Sequence, residues 1–192
     1  MFLVIFLFMI STANASLQSG DILVQSADCS LCPLIEGEEG LPYSHTGMIL
    51  LDAQGKPTVL ESWDNVAQVS LSKFISRRKA GRTTLILRPQ TSIATDQLKK
   101  VFDQKYNGHS YDVKFLWDNQ NELGEKYYCS ELVVKLLNEF IPVKFQTKPM
   151  HYQYQRDEWI RYFRDLPPDG LPGVSPADLA RSPLLDHIGE IP

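Results

Sequence analysis

Residues 44–63 have the sequence SHTGMILLDAQGKPTVLESW, in which two apolar stretches flank a short polar one. The stretches 44–51 and 58–63 have the length of ordinary β-strands and are rich in apolar and β-branched residues. The segment 52–56 between them has the Gly-containing polar composition of a turn. This part of the chain therefore predicts an antiparallel β-hairpin, and the rest of the fold can be worked out from it.

The segments on either side of the hairpin divide the chain into a strand-rich first half and a helix-rich second half. The clearest helical spacing lies at 129–140, where apolar residues line one face and Pro142 follows. Strands followed by helices indicate an α+β domain with an antiparallel sheet, because a parallel sheet needs the two to alternate. The further predicted segments are strands at 22–24 and 84–88, helices at 95–106 and 156–163, loops at 26–42 and 107–126, and an extended tail beyond the last helix.

Length and composition describe one globular domain. The chain has 192 residues, of which 43% are hydrophobic and 22% charged, so it can bury a sizeable core. Its formal net charge is -4, which gives no electrostatic reason to expect nucleic acid as a partner.

The amino terminus has the pattern of an export signal. An apolar run from Phe2 to Ile10 is followed by a small-x-small motif that ends at Ala15. This pattern predicts a signal peptide over residues 1–15, cleaved after Ala15, and a single domain over 16–192. The run is too short to cross a bilayer as a helix, but no Lys or Arg precedes it, so a buried strand or helix is the alternative. We expect an exported protein, located in the periplasm or cell envelope.

The three cysteines fall into a pair and a single residue. Cys29 and Cys32 form a C-x-x-C motif, which in an oxidising compartment would close as a disulfide that clips a loop. A zinc site is disfavoured because no second cysteine pair supplies the remaining ligands. Cys129 is then the one unpaired thiol, and such a thiol is either buried and inert or reactive.

Cys129 stands at the start of the clearest predicted helix. A helix amino terminus carries partial positive charge and unpaired N–H groups, which favour a thiolate over a thiol of ordinary pKa about 8.5. The same N–H groups could stabilise an oxyanion. Cys129 is therefore a candidate nucleophile, and the alternative is a small buried core residue.

A thiolate nucleophile needs a base, and histidine has a suitable pKa of about 6.5. His45 begins the first hairpin strand, with Gly47 two residues later to allow close approach of another element, for example the helix of Cys129. His109, in a loop, is the alternative base. Glu61 on the second hairpin strand can lie beside His45 and fix its tautomer, and Asp64 is a weaker substitute.

These residues occur within a series of short motifs that resembles a known family. The chain is similar to the circularly permuted, NlpC-type branch of papain-like cysteine hydrolases, close to the YiiX-like proteins. The resemblance implies a half-barrel sheet packed against helices, with Cys129 as nucleophile, His45 as base and Glu61 as the orienting acid. The motifs that carry it, in chain order, are GDILVQ at 20–25, YSHTGM at 43–48, VLE at 59–61, YDVKF at 111–115, YCSELV at 128–133 and VSPAD at 174–178.

Three functions remain open at the level of sequence. The first is an amidase or peptidase that forms an acyl-enzyme, with cell-wall peptides as substrates, because the resembled family contains such enzymes. The second keeps the chemistry but takes a lipid acyl ester, as do lecithin:retinol acyltransferase-like enzymes. The third is a binding module in which the thiol is silent. No metal or organic cofactor is indicated.

Overall fold

A computed structural model describes residues 16–122 and 124–192. The predicted signal peptide lies outside these residues. Within them, none of the helices combines the length and the apolar character that crossing a bilayer requires.

The described elements confirm the α+β class, and five of the six strands of the central sheet lie in the first half of the chain. In chain order they are β1 (Ile22–Gln25), α1 (Cys32–Glu39), β2 (His45–Leu51), β3 (Pro57–Ser62), β4 (Val66–Ser70), α2 (Leu71–Ile75), β5 (Thr84–Pro89), α3 (Thr95–Lys105), β6 (Ser110–Tyr111), β7 (Gln120–Asn121), β8 (Gly124–Tyr127), α4 (Cys129–Asn138), β9 (Lys148–Pro149), α5 (Arg156–Phe163), β10 (Pro172–Gly173), α6 (Pro176–Arg181) and β11 (Leu185–Ile191).

A six-stranded antiparallel sheet forms the centre of the fold, with strand order β11-β5-β1-β2-β3-β4. The predicted hairpin is its β2–β3 pair, in which Met48 lies opposite Leu60 and Leu51 opposite Pro57. Asp52 holds the turn, because its carboxylate accepts the backbone N–H groups of two turn residues at 2.8 and 2.9 Å. The hairpin prediction is confirmed.

The two faces of the sheet carry different apolar clusters. On one face, Met48, Leu50 and Leu60 pack in the core that contains the buried side of α4. On the other face, Ile49 and Val59 pack with Phe74 of α2. Since residues of a strand alternate between faces, the hairpin separates α4 from α2.

Several segments predicted as loops are ordered elements. The 26–42 segment contains α1, because Pro33 is tolerated in the first turn of a helix and Gly40 ends that helix in the left-handed conformation. The 107–126 segment contains β6, β7 and most of β8. The tail was predicted to be extended surface chain, but β11 completes the central sheet beside β5, with a register shift between His187 and Gly189.

The C-x-x-C pair forms the predicted disulfide. Cys29 and Cys32 are joined, and Cys32 is the first residue of α1. The bond therefore clips the chain at the start of this helix.

Candidate active site

Cys129 lies where α4 begins, as the sequence predicted. It is the first residue of the helix, after Tyr128 as the N-cap, and its side chain is 5% exposed. It also lines a cavity, so the thiol is neither sealed in apolar packing nor open to bulk solvent. A ligand that fills the cavity would meet the sulfur and the positive end of the helix dipole together.

His45 and Glu61 are hydrogen-bonded to each other inside the protein. The Nε2 atom of His45 lies 2.8 Å from Oε2 of Glu61, and the two side chains are 2% and 1% exposed. The thiol of Cys129 lies close enough to the ring to raise the pKa of His45. Because Nε2 is taken up by Glu61, Nδ1 is the ring nitrogen that remains for a partner such as this thiol.

The surroundings of His45 favour its charged form. Burial alone would lower the pKa of the imidazole, but the hydrogen bonds to Cys129 and Glu61 and the charges of these two groups outweigh burial. The pKa of His45 is therefore raised above its usual value. A histidine with a raised pKa keeps its proton to higher pH, so His45 can serve as an acid beside the thiol.

A positive charge and two aromatic rings hold His45 and Glu61 in place. The sequence analysis predicted none of these three groups. Arg77 forms an ion pair with Oε1 of Glu61, and its guanidinium lies 4.9 Å from the ring centre of Trp63. The His45 ring stacks on Phe74 at 5.1 Å and meets the edge of Trp63 at 4.8 Å. Arg77 lies in a basic Arg-Arg-Lys run typical of an exposed surface, so nothing in the sequence links it to a carboxylate 16 residues away.

Gly47 allows other elements to approach β2 closely. These elements are β3 and α2, whereas the sequence analysis suggested the helix of Cys129. A Cβ atom there would lie 2.5 Å from Val59 and 3.0 Å from Phe74. The expectation that the helix of Cys129 fills this space is wrong, because Gly47 faces α2 while α4 packs on the opposite face of the sheet. His45 meets Cys129 at the end of β2, where the strand and the amino terminus of α4 come together.

The alternative candidates lie elsewhere. His109 is hydrogen-bonded through Nδ1 to the carbonyl oxygen of Glu125 at 2.9 Å and borders a separate cavity, away from Cys129. Asp64 is exposed, and Glu61 is the carboxylate that contacts His45. A further histidine, His151, is exposed and lines the Cys129 cavity.

Glu131, two residues after Cys129, is held by contacts that stabilise the fold. Its side chain is fully buried, and Oε1 accepts the backbone N–H of Asp118 at 2.9 Å and lies 3.0 Å from Nζ of Lys135. Burial raises the pKa of Glu131 to about 7, and the contacts with Lys135 offset this only in part. These contacts tie the loop around Asp118 to α4.

The cavity beside Cys129 is narrow and lined mainly by apolar groups. Its volume is about 40 Å³. The helices α1 and α5, the starts of α4 and α6, and four loop segments form its walls, and a cluster of aromatic side chains surrounds it. Its lining residues are Ile35, Glu38, Glu39, Ser44, Phe115, Tyr128, Cys129, Ser130, Met150, His151, Tyr152, Trp159, Val174, Ser175 and Pro176.

The geometry suits acyl transfer by a thiol. Among enzymes of this kind, the pairing of a helix-borne cysteine with a strand-borne histidine defines the papain-like class, and here the histidine precedes the cysteine in the chain. A family model for permuted papain-like amidase enzymes, the YaeF/YiiX or C92 family, matches residues 16–189. The chain belongs to this family of cysteine hydrolases.

A solved structure shows the same fold. The crystal structure described as metalloprotein YiiX from Escherichia coli O157:H7 matches with a TM-score of 0.77 and 24% identity, over 91% of this chain and 98% of that one. No curated protein matches the sequence. Within residues 16–122 and 124–192, no three His, Cys, Asp or Glu side chains cluster closely enough to hold a metal ion.

Proposed function

We propose that the protein is a cysteine amidase in which Cys129 is the nucleophile, His45 the general acid and base, and Glu61 the residue that orients the histidine. The observation that carries the proposal is the buried hydrogen bond between His45 and Glu61, with the same imidazole close enough to the thiol at the start of α4 for that thiol to raise its pKa. Each of the three groups has a neighbour that suits its role, and Glu61 has a second partner in the guanidinium of Arg77.

The reaction proceeds in two acyl-transfer steps. In the first, the Cys129 thiolate attacks the substrate carbonyl carbon, and the His45 imidazolium gives its proton to the leaving amine as the C–N bond breaks. In the second, neutral His45 takes a proton from water, and the resulting hydroxide attacks the thioester. The C–S bond breaks, the carboxylic acid leaves, and the His45 proton restores the starting pair.

The developing oxyanion needs hydrogen-bond donors near the sulfur. The first backbone N–H groups of an α-helix have no partner within the helix, and Cys129 is the first residue of α4. We assign the oxyanion site to these groups, because they meet the negative charge at the positive end of the helix dipole.

We propose cell-wall peptide amides as substrates and the periplasm or cell envelope as the location. Three observations support this: the export pattern of residues 1–15, the Cys29–Cys32 disulfide, and the amidase family to which the chain belongs. A disulfide of this kind is typical of oxidising compartments.

The test is covalent capture of the acyl group. We expect intact-mass spectrometry of the protein, incubated with muropeptides, to show an acyl adduct on Cys129, and Cys129→Ala and His45→Ala to lose turnover by at least about 10²-fold. His109→Ala is the matched control and keeps its turnover. Full activity in His45→Ala would move the base to another residue and overturn the assignment.

A lipid acyl ester is the second candidate, and the apolar lining of the cavity favours it. Ile35, Phe115, Met150 and Val174 present hydrocarbon to the space beside the thiol. Assays with phospholipids and short-chain thioesters beside the muropeptides separate the two candidates. Turnover of lipid esters alone would select the second.

A further inference from the structure

The cavity beside the nucleophilic thiol presents an almost wholly apolar surface to anything that enters it. Polar residues contribute to its walls, but their polar atoms are bonded elsewhere or lie out of reach. Ser130 donates a hydrogen bond to the carbonyl oxygen of Val174 at 2.7 Å, and the hydroxyl of Tyr128 accepts the backbone N–H of Val174 at 3.1 Å. The hydroxyl of Tyr152 and the indole nitrogen of Trp159 are fully buried. A group that enters the cavity therefore meets hydrocarbon, and a polar group would lose its bonds to water without replacement.

The cavity is closed on one side and open on the other. Phe115 and Val174, which form part of its wall, are buried. Ile35 and Met150 are half-buried, and His151 is exposed. The exposed residue marks the side on which a substrate can enter, and the buried residues limit how far it can go.

Close packing behind the walls fixes the size of the cavity. A Cβ atom at Gly173 would lie 2.6 Å from Cγ of Met150, so this side chain packs directly on the backbone of β10. The Phe115 ring lies 5.7 Å from the ring of Tyr128 and stacks on that of Tyr162 at 6.0 Å. The closed side therefore cannot expand without displacing packed side chains.

The volume of the cavity limits the length of an apolar group inside it. The volume is about 40 Å³. On this measure one water molecule needs about 10–15 Å³, so the space holds about three groups of that size. A methylene group is close to a water molecule in size. A chain of about three carbons therefore fills the cavity, and a long fatty acyl chain exceeds it.

The cavity reaches Cys129, so a group that fills it is attached next to the carbon that reacts. The acyl part of a substrate stays bonded to the sulfur through both steps of the proposed reaction, whereas the amine leaves after the first. We propose that the cavity is a specificity pocket for the acyl part and accepts an aliphatic group of about three carbons next to the reacting carbonyl. This inference rests on the proposed function and adds the class of substrate: amides or esters whose acyl part carries a short aliphatic group.

Nitrophenyl esters of straight-chain acids test the proposal in the wild type. The acyl groups are acetyl, propionyl, butyryl, hexanoyl and octanoyl, and acylation of Cys129 is followed by nitrophenolate release and by intact mass. Each rate is divided by the rate of the same ester with free N-acetylcysteine, which removes differences in intrinsic reactivity. We expect the normalised rate to rise about fourfold per carbon up to butyryl and to fall at least about tenfold at hexanoyl. A rate that rises steadily to octanoyl would indicate an open groove and overturn the proposal.

Enlarging the pocket should move this optimum to a longer chain. Met150→Ala removes a side chain from the cavity wall, and hexanoyl should then become the best acyl group. Leu184→Ala is the matched control, since Leu184 is also half-buried but lies outside the cavity lining, and butyryl stays the best. Ile35→Ala, at the other half-buried part of the wall, gives the same test if Met150→Ala does not fold. An optimum that stays at butyryl in the enlarged pocket would overturn the proposal.

Two further comparisons test the apolar character of the pocket and the part of the substrate that occupies it. Methoxyacetyl has the chain length of butyryl but carries an ether oxygen, and its normalised rate should be at least about fivefold lower because the oxygen finds no donor. Butyryl thioesters of ethanethiol, butanethiol and octanethiol should acylate Cys129 at equal normalised rates. Equal rates for methoxyacetyl and butyryl, or a dependence on the thiol chain alone, would contradict the assignment.

Failure of the pocket can be told apart from failure of the proposed function. If no ester or thioester acylates Cys129, the proposed function fails, and the pocket is then tested without chemistry. Xenon binds in dry apolar cavities, so the methyl signals of Met150 and Ile35 should shift in NMR spectra recorded under xenon. Shifted signals would support an apolar pocket that is open to small groups, and unshifted signals would overturn it.

Discussion

At the scale of single residues, the candidate site depends on groups that control each other's charge. His45 lies between a thiol and a carboxylate, and Glu61 lies between that histidine and Arg77. The sequence predicted Cys129, His45 and Glu61 as the site residues. A histidine and a carboxylate on the two strands of a hairpin can be placed side by side from the register of the strands. Arg77 could not be predicted, since its contact with Glu61 depends on how α2 and the chain after it fold back onto the hairpin.

Replacing Glu61 should shift the pH dependence of the reaction. Glu61 raises the pKa of His45, so Glu61→Gln should lower that pKa. The thiolate–imidazolium pair is lost as pH rises through the His45 pKa. We therefore expect the alkaline limb of the kcat/KM profile to move to lower pH, and the maximum to fall by roughly 10²-fold.

The measurement is the pH dependence of kcat/KM for amide hydrolysis by the wild type and by Glu61→Gln. Asp64→Asn is the matched control, because Asp64 is exposed and should leave the profile in place. An alkaline limb that stays at the same pH in Glu61→Gln would show that this carboxylate does not act on the histidine.

Glu131 should make stability depend on pH. Burial raises the pKa of its carboxyl from 4.5 to about 7, so the folded state binds this proton more tightly than the unfolded state does. The folded state is therefore favoured at low pH and loses up to about 3 kcal/mol as pH rises from 4.5 to 7. We expect Glu131→Gln to match the wild type near pH 4.5 and to exceed its free energy of unfolding at pH 8.

Urea denaturation at several pH values measures this effect. The exposed Glu122→Gln serves as the control and should give a curve parallel to that of the wild type. Parallel curves for Glu131→Gln as well would mean that the buried carboxyl keeps an ordinary pKa.

At the scale of elements, the closest packing in the site lies between β2 and its neighbours. The space over Gly47 is filled by Val59 on β3 and Phe74 on α2, and Phe74 in turn stacks on the His45 ring. We expect Gly47→Ala to reduce the free energy of unfolding by about 1–3 kcal/mol through overpacking and to reduce activity by displacing Phe74.

A double-mutant cycle measures this clash. Val59→Ala removes the nearest atom, so Gly47→Ala/Val59→Ala should be more stable than the sum of the single effects predicts. Strict additivity in thermal or urea unfolding would contradict the packing argument.

At the scale of the whole molecule, the sequence predicted the hairpin and the main helices better than the connections. β2, β3, β5, α4 and α5 have clear apolar patterns, and all were found close to the predicted bounds. α1, α6 and β11 were missed, because their Pro and Gly residues suggested loops. In the structure Pro33 lies in the first turn of α1 and Gly40 ends this helix. The same residue types can therefore indicate either a loop or the ends of a helix.

The last strand contributes to global stability. β11 covers the edge of β5, and Leu185, Ile188 and Ile191 add apolar packing, while Arg78 binds the carbonyl oxygen of Ile191 at 2.7 Å. Removal of residues 185–192 should reduce the free energy of unfolding by at least about 3 kcal/mol, measured by urea denaturation. His187→Ala, at an exposed position of the same strand, should change it by less than about 0.5 kcal/mol. A truncated chain as stable as the full one would show that β11 is dispensable.

The residues that form the walls of the Cys129 cavity are synthesised at different times. Cys129 and His45 are synthesised before Val174, Ser175 and Pro176, which close one side of the cavity, and Val174 accepts a hydrogen bond from Ser130 at 2.7 Å. A nascent chain that already contains the nucleophile and its base therefore still lacks part of the pocket in which a substrate would bind. Competence for the reaction arises only when residues 174–176 have left the ribosome and docked.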